Sequence, residues 1–268
     1  MRTDFQHLLI QEENHVLKIS MNRPEVYNAF NDTMLDELGE VLETAAKDAA
    51  VRCVVLTGAG RAFGSGQDLR SFATINASRE GDTPIKVSEH LHKYHRIIHA
   101  IRSMPKPVVA AVRGVAAGAS CNIALACDMR IAADNARFIE AFARIGLVPD
   151  AGGGFFLPRL VGVGKAMELA MLADEVSGQE AERLGLVNRC VPLDEFEETT
   201  EAFAQRLAAG PTHAYALIKE LMNKSLESDL ETILRFEGEL QDIAINTADH
   251  REGVSAFLEK RHPLYQGN

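Results

Sequence analysis

Arg113-Gly114-Val115-Ala116-Ala117-Gly118-Ala119-Ser120-Cys121-Asn122 follows the strand-like run Pro107–Val112 and leads into an apolar helical stretch. An earlier stretch, Thr57-Gly58-Ala59-Gly60-Arg61-Ala62-Phe63-Gly64-Ser65-Gly66-Gln67-Asp68-Leu69, follows Val54–Thr57 in the same way. Main-chain N–H groups at a strand–turn–helix junction point outward, without partners inside the helix. Two such turns brought together can hold a developing oxyanion with backbone donors alone. Either turn by itself reads as a plain tight turn.

Working outward, the chain alternates short β-rich runs with helical stretches. Leu8–Ile10 and Val16–Met21 predict a hairpin across Glu12–Asn14. Asp32 is placed to cap a helix whose apolar face runs through Leu35, Leu38 and Leu42. Val54–Thr57, Pro107–Val112, Met129–Ala133 and Arg137–Glu140 read as further strands. The order predicts an α/β fold, a sheet with helices crossing between its strands. Residues 76–85 (NASREGDTPI) are polar and breaker-rich and read as a mobile loop. After Pro192 the pattern is almost wholly helical. This divides the chain into a core over residues 1–193 and a helical region over 194–268.

The bulk composition narrows the function classes. The chain has 268 residues, 46% hydrophobic and 25% charged, enough to bury a core without staples. A net charge of −10 argues against a broad nucleic-acid face. Cys53, Cys121, Cys127 and Cys190 lie in apolar contexts without C-x-x-C spacing and read as buried free thiols. His90, His92, His95 and His99 cluster with Lys93 and Arg96 as a solvated helix face, so no metal site is expected. The N-terminal stretch lacks a signal peptide's apolar run, and a cytoplasmic protein without membrane or nucleic-acid partners is expected.

Two oxidoreductase signals are weak. Gly58-x-Gly60 lacks the third glycine of a dinucleotide turn, and no acidic residue stands clearly about 20 residues on. Tyr215-x-x-x-Lys219 has the spacing of a short-chain dehydrogenase pair, yet lies in an amphipathic helix far beyond the glycine turn.

Asp150, in Gly146-Leu147-Val148-Pro149-Asp150-Ala151-Gly152-Gly153-Gly154, precedes a helical run among glycines and apolar residues. A helix end favours its ionised form and apolar walls oppose it, a balance suited to proton transfer beside a carbonyl. The same residue reads equally well as a simple N-cap. The pattern leaves both open.

GRAFGSGQDL (60–69), RGVAAGASCNIALACDMRIAA (113–133), GLVPDAGGGFFLPRLVG (146–162) and REGVSAFLEKR (251–261) together resemble the crotonase (enoyl-CoA hydratase/isomerase) superfamily. Asn22-Arg23-Pro24-Glu25 and Asn28-Ala29 fit the same pattern. The resemblance implies a spiral of ββα units with a C-terminal helical trimerisation region. It also implies a coenzyme A thioester substrate, no other cofactor, and a homo-oligomer, trimer or dimer of trimers. By position, the two oxyanion-hole amides fall on Gln67 and Ala119. Since the donor is a backbone N–H, any residue but proline serves, and the larger Gln67 is expected also to shape the pocket. The two glutamates with which hydratases handle water fall on Asn122 and Phe142. Neither an amide nor a phenyl ring takes a proton at neutral pH.

Asp150 matches the single acid of the superfamily's isomerases. AFARIGLVPDAGG and FLPRLVG are most similar to its 1,2-epoxyphenylacetyl-CoA isomerase branch. The expected activity is therefore isomerisation, with Asp150 moving a proton and Phe142, with Phe138 nearby, as apolar walls. Arg23, Ser65, Asp68, Leu69 and Asn122 are candidate substrate contacts. Phe257 and Lys260 match positions that reach coenzyme A from a neighbouring subunit, while Lys260 equally suits a solvated helix charge. Glu140 is the fallback carboxylate, expected at the surface or in an ion pair. A hydratase with an unusual acid/base set and a non-catalytic acyl-CoA-binding relative are the alternatives. Clp-type serine peptidases share the fold, but Gly118–Asn122 is not a nucleophile elbow.

Overall fold

A computed structural model describes residues 2–70 and 87–268, so the predicted loop at 76–85 lies outside the described residues. Strands β1 (Leu8–Glu13) and β2 (Val16–Met21) pair antiparallel. The hairpin reverses at Asn14 and His15, both at positive φ, slightly later than the sequence suggested. Consecutive left-handed residues are what a tight hairpin requires, because they match the twist of the strands. β2 then runs parallel to β3 (Cys53–Gly58), β3 to β4 (Val108–Val112), β4 to β6 (Met129–Ala133) and β6 to β9 (Arg189–Val191), giving the order β1-β2-β3-β4-β6-β9.

β3 and β4 are buried along their whole length. Parallel strands covered on both faces read as continuous apolar runs, which is why they were legible. Alternate residues face two different cores. Val54, Leu56, Val108 and Ala110 join the larger one with α1 (Asp32–Lys47) and α2 (Ser88–Ser103). Cys53, Val55, Val109 and Ala111 face Phe196, Ala204 and Ala208 of α7 (Phe196–Ala208). The N-cap of α1 is Asn31, not the expected Asp32: Asn31 is extended and its side chain accepts from the Met34 N–H at 2.9 Å. Asp32 instead lies in the first turn, where its charge favours the positive helix end.

After β4 the chain passes directly into a second, small sheet of β5 (Val115–Ala117), β7 (Arg137–Ile139) and β8 (Val176–Ser177), ordered β5-β7-β8. One strand in each sheet followed by a helix makes the ββα unit: β4, β5 and α3 (Ala119–Ala126), then β6, β7 and the 3₁₀ turn Ala141–Ile145. Helices α4 (Gly153–Val161), α5 (Val163–Leu172) and α6 (Gly178–Leu184) complete this part. The expected boundary between residues 193 and 194 falls just ahead of α7. Beyond it lie α8 (Thr212–Ser225), α9 (Leu230–Ala244) and α10 (Ala248–Glu259).

Candidate active site

The two glycine turns are knitted together by backbone bonds at glycines that leave no room for a Cβ. The Gly64 N–H donates to the Val115 carbonyl at 3.0 Å, and the Ala117 N–H donates back to the Gly64 carbonyl at 2.9 Å. The Gly66 N–H donates to the buried Ser120 Oγ at 3.0 Å. Gly66 has φ +87, and a Cβ there would stand 2.9 Å from the Ala117 oxygen and 3.6 Å from the Ala119 nitrogen. Only glycine allows that approach. The first turn thereby rests directly on the start of α3.

Ala119 is the first residue of α3, and its N–H has no acceptor among the described residues. The Gln67 N–H has none either, although the neighbouring Phe30 and Asp68 N–H groups are both paired. Both residues line one cavity of about 220 Å³. Both residues lie at its wall, and the N-terminus of α3 adds a positive field.

Asp150 lines the same cavity. The N-cap reading fails here: the cap of α4 is Gly152, at φ +84, with no side-chain cap bond. Asp150 contributes its backbone to the turn, its carbonyl accepting from the Gly153 N–H at 2.9 Å and from Asn122 Nδ2 at 2.9 Å. Its carboxylate is left for other use. Oδ1 is buried without a partner among the described residues, and burial pushes the carboxyl pKa up to about 6.

The other candidates separate into those at the cavity and those away from it. Ser65, Leu69 and Phe142 line it with Gln67, Ala119 and Asp150. Asn122 does not: it is fully buried and spends its amide on the Asp150 carbonyl and on Glu140 Oε2, at 3.4 Å. Arg23 and Asp68 are also engaged elsewhere, pairing with each other at 3.2 Å while Arg23 Nη1 donates to the Ala29 carbonyl. Phe138 belongs to the core beneath the site. Phe257 and Lys260, on and just after α10, are exposed and outside the cavity wall of this chain.

Glu140 departs most from expectation. It is 4% exposed and makes no ion pair among the described residues. Burial pushes its pKa up to about 7, opposed by hydrogen bonds from Asn122 and Cys121 and assisted by the Asp150 charge. Sequence reading missed the roles of three residues, and it placed His90 on a solvated helix face. Ser120 joins the turns, and Tyr94 and His90 reach the cavity from α2. The Tyr94 hydroxyl donates to Gln67 Oε1 at 2.5 Å, and His90 Nε2 lies 3.0 Å from the same oxygen. His90 is therefore part of a cavity wall, while His92, His95 and His99 are exposed as expected. Helical spacing from Tyr94 to His90 was the signal available. Among the described residues no group of three or more His, Cys, Asp or Glu side chains is placed to hold a metal ion. No helix among them is long and apolar enough to cross a membrane.

Paired backbone donors beside a half-buried carboxylate equip the cavity to stabilise an enolate while a proton moves on carbon. A family model for enoyl-CoA hydratase/isomerase matches residues 11–268. The chain belongs to that family. It is 40% identical over 262 residues to 1,2-epoxyphenylacetyl-CoA isomerase of Escherichia coli K12, covering 98% of this chain and 99% of the relative. It is 46% identical over 249 residues to a Rhodobacter capsulatus protein named a probable enoyl-CoA hydratase, covering 93% of each. The crystal structure of an enoyl-CoA hydratase from Bacillus anthracis superposes with a TM-score of 0.90 at 35% identity, over 98% of this chain and 100% of that one. The fold is the crotonase fold that the resemblance implied. Both isomerases and hydratases stand among its relatives.

Proposed function

We propose that this chain is an acyl-CoA isomerase, of the enoyl-CoA or 1,2-epoxyphenylacetyl-CoA type, with Asp150 as its proton-transfer group. The observation that carries this reading is the Asp150 carboxylate, which lines the cavity with a buried, unpartnered Oδ1 and a pKa raised to about 6. At neutral pH it is ionised, yet basic enough to remove a proton from carbon.

On a 3-enoyl thioester, Asp150 takes a proton from C2. The electron pair of that bond enters an enolate whose oxygen is held by the Gln67 and Ala119 N–H groups. Each donor is worth about 3 kcal/mol of transition-state stabilisation. The carboxylic acid then returns the proton to C4, leaving the double bond at C2–C3. Phe142 walls the cavity where a hydratase would place a glutamate. Coenzyme A enters as part of the substrate. Phe257 and Lys260 would meet it from a neighbouring copy in a trimer or dimer of trimers. The exposed Leu230, Leu234, Ile243, Val254 and Phe257 of α9 and α10 support such an assembly.

Buried Glu140 favours a second reading, a hydratase using Glu140 and Asp150 as an unusual acid/base pair. Comparing turnover on 3-hexenoyl-CoA and crotonyl-CoA separates the two. Isomerisation should dominate; rapid hydration of crotonyl-CoA with no double-bond shift would reject the isomerase reading.

A further inference from the structure

The peptide that joins Gly66 to Gln67 follows a glycine at φ +87, where the backbone turns with little steric resistance. Its aim therefore depends on what holds it. On one side stands Phe30, whose N–H donates to the Gly66 carbonyl at 2.8 Å and whose carbonyl accepts from the Asp68 N–H at 2.8 Å. In a planar trans peptide the C=O and N–H point in opposite directions. The bond from Phe30 thus aims the Gln67 N–H away from Phe30, and rotation about Gly66 would turn that donor aside.

The second hold is the Gln67 side chain, which donation by the backbone does not itself require. Its Oε1 accepts from the Tyr94 hydroxyl at 2.5 Å, and His90 Nε2 lies 3.0 Å from the same oxygen. Burial, with the charges of Asp150 and Asp32, keeps the Tyr94 phenol protonated and therefore a donor. His90 Nδ1 lies 3.4 Å from an Asp32 oxygen in the first turn of α1. Gln67 Nε2 has no partner among the described residues, so Oε1 is the whole polar anchorage of the side chain there. An apolar side chain would fill the space without that unpaired nitrogen. What the amide adds is a link to α2. Tyr94 is itself firmly seated, 1% exposed and edge-on to the Phe30 ring, with centroids 5.8 Å apart. The residue that holds the peptide and the residue that holds the side chain pack on each other.

We infer that Tyr94 and His90 are positioning residues for the oxyanion hole. By gripping the Gln67 side chain they resist rotation of the Gly66–Gln67 peptide and keep its N–H on the developing enolate oxygen. Neither touches the substrate in this role. The inference rests on the enolate chemistry proposed above and adds two residues of α2 to it.

Acetoacetyl-CoA reads the donor without turnover, because its enolate absorbs at longer wavelength than its keto form. The wild-type protein should bind it enriched in enolate over the free ligand at the same pH. Tyr94→Phe keeps the ring against Phe30 and removes only the hydroxyl. It should lower the bound enolate-to-keto ratio and kcat on 3-hexenoyl-CoA about tenfold, with KM and butanoyl-CoA affinity within about twofold of wild type. His90→Phe should give a smaller fall in the same direction. Gln67→Met retains the N–H and should match Tyr94→Phe, and adding Tyr94→Phe to it should cost nothing further. Combining His90→Phe with Gln67→Met repeats the cycle independently of Tyr94. An unchanged enolate ratio in the single variants, or losses that add in the double variants, would overturn the inference and leave the acyl-CoA reading intact. A wild-type protein that binds acetoacetyl-CoA without enriching its enolate, or does not bind it, would overturn both.

Discussion

Asn122 donates its side-chain amide to the main-chain carbonyl of Asp150 at 2.9 Å, across 28 residues of sequence. The same Nδ2 lies 3.4 Å from Glu140 Oε2. Gly153 leaves it room, since a Cβ there would stand 2.3 Å from that nitrogen. At a position where the family resemblance places a hydratase glutamate, the side chain therefore braces the loop that carries Asp150.

Asn122→Ala should remove the brace. Leaving these buried acceptors short of a donor costs about 1–3 kcal/mol of stability. Loss of alignment should lower kcat more than it raises KM. Urea denaturation and steady-state kinetics check both. Unchanged stability and turnover would show that the contact supports nothing.

The proposed role of Asp150 as a base sets an expected pH dependence of turnover. Burial raises its pKa from 3.8 to about 6. Activity should be full at pH 7–8 and fall as pH drops through about 6. A profile of kcat/KM against pH measures this. An acid limb near pH 4 would mean that the carboxylate works in a solvated setting.

Glu140 should make stability fall as pH rises. Its folded pKa, about 7, exceeds the ordinary 4.5, so the folded state binds its proton more tightly. The associated stability is fully present below about pH 4.5 and is lost as pH rises through about 7. At about 1.4 kcal/mol per pKa unit the total is at most roughly 3 kcal/mol. Glu140→Gln keeps the shape without the charge. Its stability relative to wild type should increase between pH 5 and pH 8. A constant difference across that range would show that Glu140 does not titrate there.

Much of the fold was legible because its strands carry unusually clear signals. Val54–Thr57 and Pro107–Val112 are apolar throughout, since both faces of β3 and β4 are covered, and each run ends near a glycine. The turn residues could be aligned for the same reason: Gly66 has no room for a Cβ. What stayed hidden depends on contacts between distant segments. Glu140 follows a short strand and looks like an edge carboxylate, and only the packing of Cys121 and Asn122 from α3 makes it buried. Arg23 and Asp68 are 45 residues apart, and their pairing draws Arg23 away from the cavity wall. Tyr94 and His90 lie on a helix whose charged residues suggested a solvated face. Asp150 was ambiguous until the cap of α4 proved to be Gly152.

Ser120 joins the two turns, and its removal should be felt in catalysis. Ser120→Ala leaves the Gly66 N–H without its 3.0 Å acceptor. A stability loss of about 1–3 kcal/mol is expected, with kcat down roughly tenfold or more as the oxyanion donors lose registry. Gly66→Ala should be worse, because it adds a contact of 2.9 Å at φ +87. Thermal melts and kcat measurements check both variants. A Ser120→Ala protein with wild-type kcat would show that the turns hold their relation without it.

The central claim, that Asp150 carries the proton, is tested most directly by Asp150→Asn with a 3-enoyl-CoA in deuterium oxide. NMR follows label entering at C2 and C4, and calorimetry follows thioester binding. The account predicts that label incorporation and isomerisation fall together by about 10²–10⁴-fold, with affinity for the thioester changed little. Label entering at the wild-type rate in Asp150→Asn would contradict it.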